Sequence, residues 1–130
     1  MIGLDTNVLV RYATQDDPAQ AALAGDVVRS LTPESPGFVS SVALAGAVCV
    51  LRSAFRIEPD GIAQFVRHLL ASAELVVEHS EAARAALEET EGSVLFTDAL
   101  LAQIAIGVGC EVTLTFDRRA ASLPGMRLLE

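Results

Sequence analysis

Apolar and polar residues follow two periods along this chain, one typical of helices and one typical of strands. Leu23, Val27 and Leu31 recur at helical spacing after Asp16-Asp17-Pro18, a sequence typical of a helix start, and predict an amphipathic helix. Another helix is predicted from Pro59, where the apolar positions fit the i, i+3, i+4, i+7, i+8 pattern in full. These positions are Ile62, Phe65, Val66, Leu69 and Leu70.

Three further helices are predicted from apolar or alanine-rich runs. They cover 42–51 after a cap at Ser41, the run from Ser80 to about Glu89, and the run from Thr97 or Asp98 to a stop at Gly109. Length and alanine content favour a buried helix over 42–51, although its periodicity is ambiguous. Gly46 lies in the middle of that helix, where a glycine costs about 1 kcal/mol relative to alanine. A physical reason for this glycine is therefore expected.

Short apolar runs separate the helices and predict the strands of a sheet. They are the residues before Asp5, which predict a buried strand, then Phe38-Val39-Ser40, Leu75-Val76-Val77, Val94-Leu95-Phe96, and the alternating segment from Val112 to Phe116. Alternation of strands and helices implies a parallel sheet that is covered by helices on both faces. The sequence therefore predicts an α/β fold.

The chain has the size and composition of one globular domain. Its 130 residues are 52% hydrophobic and no repeat or linker divides them, so a single domain over residues 1–130 is expected. Its nine basic residues, all arginine, stand against 17 acidic residues, which gives a net charge of -8. This charge argues against a broad basic surface that binds nucleic acid through many phosphates, but it leaves local contact open.

The chain is expected to lie in the cytoplasm. Its first carboxylate, at Asp5, comes too early for a signal peptide, and no run of about 18 uncharged apolar residues predicts a membrane span. Cys49 and Cys110 lack the spacing of a zinc site, and both are expected to be reduced thiols.

Asp5, Asp98 and Asp117 each follow an apolar segment of the predicted sheet. In open α/β sheets, ligands bind beyond the carboxyl ends of the strands, so we expect these three carboxylates to gather around one spot. Two bare carboxylates about 4 Å apart repel by roughly 4 kcal/mol at an effective dielectric of about 20, so such a cluster needs a cation. Mg²⁺ or Mn²⁺ suits these hard oxygen ligands. Alternatively each aspartate caps a helix, which is the better interpretation of any one of them taken singly.

The motifs around these aspartates resemble those of PIN domains of the VapC toxin type. The resemblance is carried by Leu4 to Tyr12 with Gln15-Asp16-Asp17-Pro18, by 40–52, by Thr97-Asp98-Ala99-Leu100-Leu101-Ala102, and by 109–119 with Leu123-Pro124-Gly125. It covers nearly the whole chain. The resemblance implies a three-layer α/β/α fold with a central parallel sheet, a ribonuclease activity that depends on Mg²⁺ or Mn²⁺, a cognate antitoxin protein and a homodimer.

Position by position, the acidic residues of the family fall on Asp5, Asp98 and Asp117, which the resemblance implies are catalytic and bind the metal ion. Gly46 falls on the position of a glutamate that normally helps to hold the metal, and Leu95 on that of an aspartate common in relatives. The implied function is that of an endoribonuclease toxin that cleaves RNA phosphodiesters with metal-activated water, weakened or inactive because of Gly46. The alternative is a PIN-like module that binds antitoxin or RNA without cleavage.

Other residues beside these motifs have expected supporting roles. Thr6, Asn7 and Thr115 are expected to hold the carboxylates by hydrogen bonds, with ordinary capping or strand roles as an equal alternative. Arginines that flank the predicted rim are expected to contact RNA phosphates, with surface ion pairs as an equal alternative. These arginines are Arg11, Arg52, Arg118 and Arg119. Tyr12 and the five phenylalanines are expected to pack in the core, and the two histidines to have structural roles.

Two other classes of α/β protein with an acidic rim are excluded by composition. Haloacid-dehalogenase-like phosphatases and response-regulator receivers both use a lysine, and this chain contains none. A phosphatase of that kind would also carry a second acid where Asn7 stands.

Overall fold

The computed structural model describes every residue from 1 to 130. Its strands are β1 (Ile2–Gly3), β2 (Gly37–Val39), β3 (Leu75–Val77), β4 (Thr113–Thr115) and β5 (Met126–Leu128). Its helices are α1 (Thr6–Thr14), α2 (Pro18–Ser30), α3 (Ser41–Ser53), α4 (Pro59–Ala71), α5 (Ser80–Glu89) and α6 (Phe96–Gly107), with a short 3-10 helix at Ala120–Ser122. The chain divides into two compact units, residues 1–78 and residues 79–130. A single domain over residues 1–130 stays a prediction.

The first unit contains a parallel sheet of three strands in the order β1-β2-β3. Helices connect these strands, so the predicted α/β class with a parallel sheet is confirmed, and the arrangement is consistent with a three-layer α/β/α fold. The expectation that the first strand is buried is wrong, because Ile2 is 52% exposed. The reason is that β1 is an edge strand of this sheet.

Helix packing forms the core of the first unit. Helix α1 packs against both α2 and α3, and α3 packs against α4. The Ser40 hydroxyl caps α3 by accepting the Ala43 N–H at 3.0 Å, so the cap lies one residue before the predicted Ser41. The largest fully buried side chains of this unit are Leu9, Val10, Val39, Leu44, Val48, Leu51, Val66 and Leu69.

The second unit is built on a helix pair. Helices α5 and α6 pack together, and fully buried alanines allow their backbones to approach closely. The strand predicted over Val94-Leu95-Phe96 is wrong. Residues 90–95 form a turn instead, in which the Ser93 N–H bonds to the Thr90 carbonyl, and the buried Phe96 opens α6.

Two short parallel strands complete the second unit. Strands β4 and β5 pair with Leu114 opposite Arg127. Strand β4 was expected from its alternation, whereas β5 was not, because three residues are too few to establish a period. The predicted stop of α6 is confirmed, since the helix ends at Gly107 and Gly109 takes a left-handed φ of 99°.

Candidate active site

Asp5 stands between β1 and α1, with its carboxylate free. Its main-chain carbonyl accepts the first hydrogen bonds of α1, from Val8 and Leu9. Its exposed side chain caps nothing, so the capping alternative does not account for Asp5. Asp5 therefore offers two oxygens to a ligand.

Asp98 lies in the first turn of α6 and is half-buried. Its carboxylate makes no hydrogen bond or ion pair within the chain. The neighbouring Thr97 has a buried hydroxyl without a hydrogen-bond partner. Asp98, like Asp5, is available for a ligand.

Asp117 follows β4 and acts as a cap. Its Oδ1 accepts the N–H groups of Arg119 at 2.8 Å and Ala120 at 3.2 Å, which is the capping role that the sequence left open. The Thr115 hydroxyl accepts the N–H of Asp117 at 3.0 Å, so Thr115 fixes the main chain of Asp117 rather than its carboxylate. Only Oδ2 of Asp117 is left for a ligand.

Gly46 faces Thr6, which begins α1. A Cβ atom at Gly46 would lie 2.7 Å from the Thr6 Oγ1, closer than unbonded atoms tolerate. The Thr6 hydroxyl donates to the carbonyl of Ala43 in α3 at 3.1 Å, and not to a carboxylate. The absence of a side chain at Gly46 therefore lets α1 bond to α3, which is the physical reason expected for a glycine inside this helix.

The four arginines expected to contact phosphates differ in the bonds and the exposure of their side chains. Arg11 pairs with Asp16 at 3.0 Å and donates to Gln20 at 2.7 Å. Arg118 lies 4.0 Å from Glu130, and both side chains are more than two-thirds exposed, so this pair is weak. Arg52 lies exposed in the last turn of α3, and Arg119 is exposed and makes no ion pair.

Asp16 has a pKa below its ordinary value of 3.8, first because the Thr14 hydroxyl donates to it at 2.8 Å and also because Arg11 is close. Since the folded pKa is lowered, the stability that Asp16 contributes is complete above pH 3.8 and is lost as the pH falls through the folded pKa. Thr14→Val should raise this pKa towards 3.8 in a carboxyl NMR titration. Thr32→Val should leave it unchanged, and an unchanged pKa in Thr14→Val would contradict this assignment.

An apolar groove runs along α1 and α2. It has a volume of about 340 Å³ and is lined by Asn7, Val8, Arg11, Gln20, Leu23, Ala24 and Val27. Leu23 is 66% exposed and Val27 is 36% exposed, so part of the apolar face predicted for α2 lines this groove instead of the core. Asn7 is exposed at its end and bonds to no carboxylate.

The aromatic residues Phe116 and Tyr12 do not both pack in the core as expected. Core packing is wrong for Phe116, whose side chain is 79% exposed beyond the end of β4. His68 stacks on Tyr12 with ring centroids 6.2 Å apart, and the Tyr12 hydroxyl lies 3.4 Å from its Nε2. Tyr12 and His68 therefore form a half-exposed pair between α1 and α4.

The sequence also missed Glu89 as a residue of interest. Its Oε1 accepts a hydrogen bond from Gln103 at 2.7 Å, while its Oε2 is buried without a partner. Nothing in the local pattern distinguishes it from the other acids at the end of α5, because the pairing depends on how α5 and α6 pack.

No group of three or more His, Cys, Asp or Glu side chains is arranged so that it could hold a metal ion. The unpaired carboxylates of Asp5 and Asp98 are nevertheless hard oxygen donors of the kind that Mg²⁺ and Mn²⁺ prefer. The chemistry of the individual donors fits such an ion, and metal binding by Asp5, Asp98 and Asp117 stays a prediction.

Parallel strands connected by helices define an α/β protein, and Asp5 stands where its first strand gives way to a helix. The family model for the PIN domain matches residues 2–126, and the chain therefore belongs to the PIN domain family. This family has a nuclease-like fold. No curated protein matches the chain. None of its helices combines the length and apolar character needed to cross a membrane.

Proposed function

We propose that this chain is a metal-dependent endoribonuclease and the toxin of a VapBC-type toxin–antitoxin pair. The observation that carries the proposal is membership of the PIN family over residues 2–126, combined with the motifs that resemble VapC toxins. The unpaired carboxylate of Asp5 supports it, because a structural acid at an N-cap position would be expected to cap its helix.

In the proposed reaction, Asp5 and Asp98 hold Mg²⁺ or Mn²⁺, and the free oxygen of Asp117 completes the set. When bound, the ion lowers the pKa of a water molecule and stabilises charge on the phosphate oxygens. The chain's own arginines neutralise the RNA backbone, and Arg119, which has no ion pair, is the most available of them. Thr115 keeps Asp117 in place through its main chain.

Gly46 weakens or abolishes this activity in the proposal, because it contributes no carboxylate. A PIN-like module that binds antitoxin or RNA without cleavage is the second proposal. This second proposal is supported by the contact between Gly46 and Thr6. The Thr6 hydroxyl occupies the space that the Cβ atom of a glutamate at position 46 would need.

Incubation of a structured RNA with the purified chain, in Mn²⁺ and in a chelator, separates the two proposals. Cleavage in Mn²⁺ alone supports the nuclease. Intact RNA under both conditions, together with tight binding of the antitoxin, supports the non-catalytic module.

The proposed antitoxin is a small protein encoded beside this chain, and we place its helix in the groove along α1 and α2. The groove is apolar along Leu23 and Val27, and Arg11 and Gln20 lie at its edge, as suits an amphipathic helix. We further propose that the chain forms a homodimer and acts in the cytoplasm, as toxins of this type do.

Leu23→Asp should raise the dissociation constant for the proposed antitoxin by about tenfold or more, because a charge in an apolar groove opposes burial of a partner helix. The fold should survive, since Leu23 is 66% exposed. Titration calorimetry measures the affinity, with Val108→Asp as the matched control, because Val108 is 73% exposed and lies outside the groove. Equal affinities for Leu23→Asp and the unchanged chain would exclude this groove as the antitoxin site.

A further inference from the structure

Among the phenylalanines and the single tyrosine, Phe116 is the one side chain that is open to solvent, with 79% of its surface exposed. Of the other phenylalanines, Phe96 is buried and the remaining three are half-buried. A lone exposed aromatic side chain offers a flat apolar face to a ligand. Its surroundings indicate which ligand.

Phe116 lies at the end of a sheet face that is apolar and cationic. Phe116 follows directly on the last residue of β4, and Leu114, two residues earlier, is 50% exposed on that strand. The register places the exposed Arg127 beside Leu114, and the Leu129 N–H bonds to the Thr115 carbonyl at 2.7 Å, so the pairing reaches the residue before Phe116.

Residues 114–130 carry three arginines, Arg118, Arg119 and Arg127, against two acids, Asp117 and Glu130, in a chain whose net charge is -8. Arg118 and Arg119 follow Phe116 directly after Asp117, and both are exposed. The only ion pair among them is the weak one between Arg118 and Glu130, at 4.0 Å, which a phosphate can displace at little cost. Charge complementarity therefore favours an anionic partner that also has flat aromatic groups.

Building on the proposed function, we infer that Phe116 stacks on a base of single-stranded RNA while Arg118 and Arg119 hold the adjacent phosphates. Aromatic side chains bind bases of any sequence in this way, because every base has a π-face. Phe116 is then a substrate-binding residue that brings a phosphodiester to the neighbouring Asp117. Phenylalanine and arginine are also enriched at protein interfaces, so a protein partner is the competing explanation, and sedimentation of the protein alone distinguishes it.

The chain contains no tryptophan, so Phe116→Trp introduces a single fluorescent reporter at the proposed site. The titrations use the full chain carrying Asp5→Asn, so that RNA is not consumed, with a short single-stranded RNA and with inorganic polyphosphate. RNA should quench the tryptophan and polyphosphate should not, since it has charge but no bases. Val108→Trp is the matched control, because Val108 is 73% exposed in the same unit, and its emission should not respond to RNA.

Anisotropy of labelled RNA measures binding independently of stacking. Phe116→Ala should weaken binding about fivefold to a hundredfold, and Phe116→Trp should retain it. Bound RNA without quenching, or equal quenching by polyphosphate, overturns the stacking role and leaves the nuclease proposal intact. A change in the sedimentation of protein alone in Phe116→Ala assigns Phe116 to a protein interface and also overturns the inference. If no form of the chain binds RNA, the inference and the proposed function fail together.

Discussion

Gly46→Glu should raise the rate of RNA cleavage by about 10- to 100-fold, the range over which residues that support metal sites change activity. The new carboxylate would supply the metal donor that the resemblance to VapC toxins implies at this position. The glutamate Cβ requires Thr6 Oγ1 to move, because the two would otherwise lie 2.7 Å apart. That movement costs the hydrogen bond from Thr6 to Ala43, about 1 kcal/mol, while replacing glycine in a helix returns up to about 1 kcal/mol.

The unfolding free energy of Gly46→Glu should therefore change little, and thermal unfolding checks that the variant is folded. Gly46→Gln is the matched control, because it has the same size and the same conflict with Thr6 but no charge. Adding Thr6→Ala relieves the conflict, since the nearest remaining Thr6 atom would lie 3.6 Å from the new Cβ. A folded Gly46→Glu protein that cuts no faster than Gly46→Gln would favour the non-catalytic module.

Asp5→Asn should lower RNA cleavage by about a hundredfold or more, measured as the initial rate in Mn²⁺ and in the Gly46→Glu background. The substitution keeps the shape of the side chain but removes the charge of a carboxylate that makes no bond within the chain. Loss of a direct metal ligand should exceed the 10- to 100-fold effect of residues that merely support one. Stability should be nearly unchanged, because no hydrogen bond is lost.

Asp60→Asn is the matched control for Asp5→Asn. Asp60 is an exposed aspartate in the first turn of α4, so it shares the helix N-terminal setting but belongs to none of the proposed motifs. Its replacement should leave the cleavage rate unchanged. If both substitutions reduce the rate equally, the loss reflects the overall charge of the protein and not a metal ligand.

The regular spacing of apolar residues made much of the fold predictable from the sequence. Helix α4 begins at Pro59 as expected, and Ile62, Val66 and Leu69 of its apolar pattern are buried. The period of α2 correctly predicted an amphipathic helix, but a period does not tell what covers an apolar face, and Leu23 lies in a surface groove. The strand expected over Val94-Leu95-Phe96 is wrong, because a turn and the first residue of α6 accommodate these apolar residues.

The candidate site was predictable in its residue types but not in their bonds. An aspartate after a strand fits both a cap and a ligand, and only coordinates separate the capping Asp117 from the unpaired Asp5. Likewise, the sequence marked Gly46 as unusual but could not reveal Thr6 beside it, because they lie on different helices. The exposure of Phe116 could not be predicted either. Phe116 lies just beyond β4, and the only strand that pairs with β4 is β5, which the sequence did not predict.

Titration with Mn²⁺, followed by electron paramagnetic resonance, tests without relying on activity whether Asp5, Asp98 and Asp117 bind one divalent ion, as proposed. We expect a single bound ion in the Gly46→Glu protein, lost in Asp5→Asn and in Asp98→Asn and retained in Asp60→Asn. Absence of binding in the Gly46→Glu protein, or binding that neither Asp5→Asn nor Asp98→Asn affects, would show that these aspartates hold no metal ion.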